Sequence, residues 1–270
     1  MGREAVLPDG VRLAYELTEG RTGRREPLVY AHGLFGSRAA DDESQLVDWH
    51  AVTRRTGHRL LRYDARAHGE STGRPDPADY TYPVLAADLL ALLDRLGATG
   101  PVAAAGASMG CATVLTAAVR APERFSRLVL LIPPTAWDTR PEQATAYRRL
   151  AALTERHGVP ALTAALAAGP APAWRRDAAG PAPAPSIVPP LLPAVLRGVA
   201  ATDLPAPADL AALTQPTLIL AWDDDPGHPR ATAERLAALL PAAELHLARD
   251  AAAFATWGDR AARFLAGDPA

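Results

Sequence analysis

Short apolar runs alternate with stretches of helical spacing along most of the chain. Residues 3–19 read as a hairpin, with apolar Val6 and Leu7, the turn Pro8-Asp9-Gly10, and then Val11, Leu13, Tyr15 and Leu17 in alternation. Arg21–Glu26 reads as a charged loop. The short apolar run Leu28–Ala31 predicts a buried strand, and Leu60–Tyr63, Val102–Ala105, Leu128–Ile132, Thr217–Ala221 and Glu244–Leu247 predict further strands. Between them, helical spacing covers residues 44–56, Val84–Leu96, the stretch ending at Arg120, Arg230–Leu240 and Thr256–Leu265. In Val84–Leu96, for example, Leu85, Leu89, Leu92, Leu93 and Leu96 share one face. Strands alternating with helices predict an α/β fold, a mainly parallel sheet with helices on both faces.

The alternation breaks off over residues 135–213. This stretch is mostly Ala, Leu, Arg and Pro, and no β-branched strand run occurs in it. Arg140–Arg156 and Val159–Ala168 predict helices, Gly169–Pro185 an irregular connection, Ile187–Ala200 an apolar segment interrupted by Pro, and Asp209–Leu213 a short helix. Residues 1–134 and 214–270 then form a core domain, with 135–213 a helical insertion.

Composition narrows the function. The chain has 270 residues and is 49% apolar, long enough for one large core. Lys+Arg 28 against Asp+Glu 30 gives a net charge of −2, so there is no basic excess to neutralise phosphates, and nucleic acid is not an expected partner. A single cysteine, Cys111, excludes an internal disulfide and a multi-Cys metal site. It reads as a small buried filler. The start MGREAVLPDG lacks the apolar run of a signal peptide, and no run is long and apolar enough for a membrane span, so a cytoplasmic location is expected. The abundance of Ala, Arg and Pro points to a GC-rich, bacterial source. No Gly-x-Gly-x-x-Gly run and no metal-ligand spacing occur, so no cofactor or metal is implied.

The chemistry concentrates in Gly106-Ala107-Ser108-Met109-Gly110, a G-x-S-x-G run between a predicted strand and a predicted helix. Glycines two positions either side of the serine remove Cβ atoms that would clash as the chain reverses, and the following helix points its amino end at the serine. His32-Gly33-Leu34-Phe35-Gly36 follows the first buried strand. Such a turn can aim a backbone N–H at a reacting carbonyl oxygen, so Leu34, with Phe35 as alternative, joins Met109 as a candidate oxyanion donor. His32 reads as a brace for this turn. The charged residues of Tyr63–Ser71 read as ties within their loop.

In this order, HGLFGS, YDARAHGES, GASMG and LILAWDDDP, the sequence resembles the alpha/beta-hydrolase superfamily over nearly its whole length. The resemblance implies an eight-stranded, mainly parallel sheet and a helical cap inserted after the sixth strand. It also implies a nucleophile at Ser108, an acid after the seventh strand and a histidine after the eighth. Among Asp223, Asp224 and Asp225, Asp225 precedes Pro226, as the family acid often does. The implied base falls near residue 253, where the sequence reads Arg249-Asp250-Ala251-Ala252-Ala253-Phe254, and no histidine follows His246. His246 lies inside a predicted strand. His228, close behind Asp225, holds a Pro-flanked polar position and reads as structural. His157 lies in the insertion. These three stand as alternatives for a displaced base, His246 ahead of the others, while His50 and His58 read as solvated.

The expected activity is attack by Ser108 on an ester or related carbonyl of a small, largely apolar molecule, the apolar character taken from the insertion. Phe35, Trp137 and Trp222 are expected to line the substrate site, with Trp174 a further candidate. Without a base, the same pocket would instead suit a non-hydrolytic cyclisation, isomerisation or elimination in secondary metabolism, or ligand binding by a pseudoenzyme.

Overall fold

The apolar runs assemble into one eight-stranded sheet, in the order β1-β2-β4-β3-β5-β6-β7-β8. The computed structural model describes residues 3–20, 27–44, 46–169 and 184–267. The strands are β1 Arg3–Val6, β2 Arg12–Leu17, β3 Leu28–Ala31, β4 Leu60–Tyr63, β5 Val102–Ala107, β6 Phe125–Leu131, β7 Thr217–Trp222 and β8 Ala243–Ala248. β1 and β2 form the predicted hairpin and run antiparallel, β2 meets β4 antiparallel, and the pairs from β4 through β8 are parallel. Every residue of β3, β4, β5 and β7 is buried. Burial on both sides explains why β3, β5 and β7 read as near-continuous apolar runs rather than alternating ones, while the buried Arg62 of β4 is paired with Glu16 and Asp42.

Helices α1 Arg38–Ser44, α2 Trp49–Thr56, α3 Tyr82–Arg95 and α4 Met109–Arg120 follow the first five strands. One face of the sheet packs Leu89, Leu92 and Leu93 of α3 and Val114 and Leu115 of α4. The other face packs Trp49 and Val52 of α2 against the C-terminal helix. The helix expected over residues 44–56 begins only at Trp49. Asp48 accepts the Ala51 N–H at 2.8 Å and starts α2 afresh.

Between β6 and β7 the described residues form helices. α5 runs Arg140–Ala168, broken at Gly158 (φ 76°, ψ −178°), so its two arms match the two helices expected there. α6 Leu192–Ala200 and α7 Pro207–Ala211 complete the insertion. The expected irregular connection falls largely on residues 170–183, outside the described residues, as does Trp174. The buried Arg140 ties the insertion's base together. Its guanidinium donates to the carbonyls of Thr202 (2.8 Å) and Val199, at the C-terminal end of α6, where cations are favoured.

After β7 come α8 Arg230–Leu239, α9 Ala251–Ala255 and α10 Trp257–Ala266. α9 was not legible as a helix. Asp250 caps it by accepting the Ala253 N–H at 2.7 Å. No helix among the described residues is long and apolar enough to cross a membrane.

The register places the site. Ala31 of β3 pairs with Gly106 of β5, Ala107 with Leu131 of β6, and Leu131 with Leu220 of β7. The carboxyl ends of β3, β5 and β7 therefore open on one edge of the sheet, where open α/β sheets hold their ligands.

Candidate functional site

At the end of β5 the chain turns into α4 through Ser108, whose backbone sits at φ 50°, ψ −110°. A left-handed φ at a residue with a side chain costs about 1–3 kcal/mol and persists only where the surroundings impose it. Here the flanking glycines permit it. A Cβ on Gly106 would run into the Gly110 carbonyl, and one on Gly110 into the Ala31 carbonyl at the end of β3. The Ser108 N–H donates to Leu131 O at 3.0 Å, and its carbonyl accepts from Cys111 N at 2.9 Å. The side chain does not cap its own helix, which leaves Oγ to face outward from the turn. Met109 opens α4, and first-turn N–H groups have no acceptor within their own helix.

The loop after β7 supplies the partners of Ser108. Asp225 accepts the Gly227 N–H on Oδ1 at 3.0 Å, and the His228 N–H returns to the Asp225 carbonyl at 3.0 Å. This is a β-turn with Asp at its first position and Pro226 at its second, the residue types such turns favour. The turn folds His228 back on its own acid, with Nδ1 2.8 Å from Asp225 Oδ2. The other ring nitrogen, Nε2, lies 2.8 Å from Ser108 Oγ. Because an ionised carboxylate only accepts, Nδ1 carries the proton, and Nε2 is left to accept the Ser108 hydroxyl. Asp225 is 9% exposed. Burial pushes its pKa up, but the His228 hydrogen bond and the loop amides outweigh burial and hold the carboxyl below its ordinary value.

The sequence reading of His228 as a merely structural loop residue did not foresee this placement between Asp225 and Ser108. The leading alternative, His246, lies within β8 opposite Leu220, and His157 is exposed on α5. Ala253, where the resemblance put a histidine, is a residue of α9. The signal that identifies His228 was local. Asp-Pro-Gly-His is a turn sequence that brings its first and fourth residues together.

The third strand end contributes the turn Gly33–Gly36, closed by Gly36 N–H to Gly33 O at 3.0 Å. A Cβ on Gly33 would lie 3.6 Å from Ser108 Cβ, so this turn stands directly beside the serine. His32 braces it as expected. Nε2 accepts the Ala65 N–H at 2.9 Å, so Nδ1 donates to the Gly33 carbonyl at 2.8 Å. Burial lowers the His32 pKa and keeps the ring neutral in this role. Leu34 is buried and Phe35 half-buried, Phe35 with φ 76°.

The charged loop after β4 is internally tied. Asp64 accepts the backbone amides of Arg38 (2.8 Å) and Glu70 (3.0 Å), and Arg66 grips Asp88 with two bonds of 2.6 Å. His58, expected in solvent, is buried, with Nδ1 2.7 Å from Thr56 Oγ1. Cys111 is buried between the Gly106 and Leu131 carbonyls, and burial raises its pKa, as fits a filler.

Two of the expected substrate residues have other contacts. Trp222 is 2% exposed and packs in the core with Phe254, at 5.5 Å between ring centroids, on the face covered by α2 and α10. As the last residue of an all-buried strand, it is held by core packing rather than by the loop after it. Trp137 anchors the start of the insertion. Its N–H donates to the Asp203 carboxylate at 3.0 Å, its indole N–H to Pro205 O at 3.2 Å, and Arg235 lies over its ring at 4.7 Å.

A family model described as the alpha/beta hydrolase fold matches residues 26–259. Among curated proteins, an sn-1-specific diacylglycerol lipase ABHD11 from Xenopus laevis is 40% identical over 119 residues, 44% of this chain and 35% of that protein. The Mus musculus protein of the same name is 37% identical over 119 residues, 44% of this chain and 36% of its own. The chain spans about a third of the length of the curated relatives it matches. Among solved structures, a hydrolase from Pseudomonas aeruginosa PA01 is similar with a TM-score of 0.80 at 26% identity, covering 98% of both chains. A malate-bound thermophilic esterase from Thermogutta terrifontis gives a TM-score of 0.76 at 24% identity, covering 98% of this chain and 96% of that one. The enol-lactonase from Burkholderia xenovorans LB400 gives 0.73 at 22%, covering 97% and 96%. At these last two identities the likeness is one of fold.

Proposed function

The chain belongs to the alpha/beta hydrolase fold family, and from that premise we propose that it is a serine hydrolase cleaving an ester of a small, largely apolar molecule through an acyl-enzyme. The observation that carries this reading is the unbroken hydrogen-bonded path from Ser108 Oγ through His228 to Asp225, with two links of 2.8 Å. A serine hydroxyl is a weak nucleophile on its own. His228 Nε2 takes its proton as Oγ attacks the carbonyl carbon, and the resulting imidazolium is stabilised by ionised Asp225. The oxyanion is received by the backbone N–H groups of Met109 and Leu34, from the helix start and the adjoining turn. His228 then returns the proton to the departing alcohol. Water, activated by the same imidazole, releases the acid.

The described parts of the insertion, residues 135–169 and 184–213, serve as the cap over this edge of the sheet, and Phe35, beside the nucleophile, is the substrate-facing contact from the core. The printed names of relatives and neighbours, lipase and esterase among them, support ester chemistry. A diacylglycerol is accordingly one substrate to try alongside short-chain esters. Against the competing readings, a carbonyl rearrangement without an acyl-enzyme or a ligand-binding pseudoenzyme, the placement of His228 beside Ser108 favours the hydrolase.

The test is labelling by a fluorophosphonate together with p-nitrophenyl butyrate turnover. The reading expects a single adduct mapped to Ser108 and loss of both signals in Ser108→Ala. Turnover that persists in Ser108→Ala would overturn it.

A further inference from the structure

The imidazole of His32 bonds the one peptide that the Leu34 oxyanion donor belongs to. The Leu34 N–H lies in the Gly33–Leu34 peptide, and the carbonyl of that same peptide is Gly33 O. This carbonyl accepts twice, from His32 Nδ1 at 2.8 Å and from the Gly36 N–H at 3.0 Å. In a planar trans peptide the N–H and the C=O point in opposite directions, so whatever aims the carbonyl also aims the N–H. Two donors on the carbonyl polarise the peptide as well, and strengthen its N–H as a donor.

Packing alone does not set this peptide. Gly33 is its freely turning neighbour, and a Cβ there would make only ordinary contacts, 3.5 Å from Ala107 O and 3.6 Å from Ser108 Cβ. The Phe35 carbonyl, further along the turn, has a different donor, the Ser186 N–H at 2.9 Å. The His32 ring is buried, and its tautomer is fixed from behind. The Ala65 N–H can only donate, so Nε2 accepts it at 2.9 Å, and the ring proton is left on Nδ1. Ala65 adjoins Asp64, whose carboxylate takes the Arg38 N–H at 2.8 Å and the Glu70 N–H at 3.0 Å. The loop that the ring leans on is therefore tied to the start of α1.

We propose that His32 is a positioning residue for the reaction, its Nδ1–H holding the Gly33–Leu34 peptide so that the Leu34 N–H faces the oxyanion before substrate arrives. The proposal rests on the serine-hydrolase reading above and deepens it. A plain brace for the turn would use both ring nitrogens. Here the effect on the reaction belongs to Nδ1, and the bond from Ala65 to Nε2 serves stability and the tautomer.

The two nitrogens can be replaced one at a time. His32→Asn puts an amide nitrogen where Nδ1 was and nothing at Nε2. His32→Gln puts an amide oxygen where Nε2 was and nothing at Nδ1. Each is compared with wild type in p-nitrophenyl butyrate turnover, in inhibition by butylboronic acid as a tetrahedral analogue, and in a thermal melt. In His32→Gln, kcat falls about tenfold or more, toward the roughly 10²–10³-fold for outright loss of an oxyanion donor, KM stays within about twofold, and boronate affinity falls with kcat. His32→Asn keeps kcat within about threefold of wild type, although the Ala65 N–H loses its acceptor and the melting midpoint drops. Wild-type kcat in His32→Gln overturns the proposal, and so does an equal loss of kcat in both variants. If either variant does not melt cooperatively, wild type itself is titrated with butylboronic acid and followed by 1H–15N NMR. The Leu34 and Met109 amide protons then both move downfield, with the His32 ring in the Nδ1–H form. A Leu34 amide that stays in place while Met109 moves overturns the proposal, as does a ring in the Nε2–H form. Wild type and Ser108→Ala run alongside. If those two do not differ in turnover, it is the hydrolase reading that has failed.

Discussion

His228 stands 2.8 Å from Ser108 and 2.8 Å from Asp225, although 120 residues separate it from the first and three from the second. The two residues that line up behind Ser108 therefore ride on one turn, and the described strand and helices that follow place no imidazole at Ser108. A turn of four residues fixes their mutual geometry, and the sheet register has only to deliver that turn to the serine.

The tautomer argument makes Asp225→Asn a sharp test. The amide can donate to Nδ1, which turns the ring's proton toward Ser108 and removes the acceptor. Turnover is expected to fall by on the order of 10⁴-fold with the melting temperature little changed. Steady-state kinetics with a parallel melt checks this, and near-normal kcat would mean that Asp225 does not orient the base.

Gly110 has no room for a methyl group against the Ala31 carbonyl. Gly110→Ala must push α4 off β3, at a cost of about 1–3 kcal/mol typical of overpacking. It should displace the elbow as well. A lowered melting midpoint accompanied by loss of fluorophosphonate labelling is expected. Full labelling at reduced stability would show that the elbow tolerates the shift.

Asp223 and Arg230 staple the loop that carries Asp225 and His228. Their ion pair is 2.9 Å, part-exposed, with Arg249 3.7 Å from the same carboxylate. Such a pair contributes under about 1 kcal/mol, so Arg230→Gln should lower kcat by no more than about fivefold. Salt screening supplies the check. In 1 M NaCl wild type should approach the variant, while the variant's kcat stays flat. Equal salt responses in the two proteins would remove the staple from the account.

The buried pair His32 and His68, 5.1 Å apart between ring centroids, predicts acid lability. Burial lowers both pKa values, that of His68 to about 3, with the neighbouring ring adding to the effect. The unfolded chain takes up protons near the ordinary histidine pKa of about 6.5, and the folded chain does not. Their contribution is therefore complete above that pH and declines as pH falls toward the folded values. Asp41 acts in the opposite sense over the same window. Burial raises it to about 7, so its burdening of the fold eases as it takes up a proton. Nearby Asp64 and Arg38 keep their charges there. The informative quantity is consequently the difference between wild type and His68→Gln in melting temperature from pH 7.5 to 4.5. Wild type should lose more on acidification, and parallel curves would contradict the assignment.

Much of the fold was readable because it rests on local pattern. Leu28–Ala31 and Leu218–Ala221 are continuous apolar runs, which two-sided burial demands, and the glycines around Ser108 announce a reversal that steric contact with Ala31 and Gly110 then requires. Even the break at Gly158 was visible between two helical periods. The place of His228 was missed because a histidine for Ser108 was sought from a pattern of chain order, which pointed to Ala253, while the turn chemistry of Asp225-Pro226-Gly227-His228 brings the ring back to Asp225. Trp222 was misjudged for another reason. A bulky residue at a strand's end looks the same in sequence whether it faces a cavity or the core, and only packing against Phe254 decides. Nor could any periodicity foretell that Ser186 meets Phe35, since that bond joins two loops without regular structure.

The most direct test of the account is the rate at which a fluorophosphonate modifies Ser108 in wild type, His228→Ala and His246→Ala, followed by intact mass under single-turnover conditions. The account predicts a fall of at least 10²-fold in His228→Ala, in line with loss of a general base, and a wild-type rate in His246→Ala. Undiminished modification in His228→Ala, or a collapse confined to His246→Ala, would contradict it.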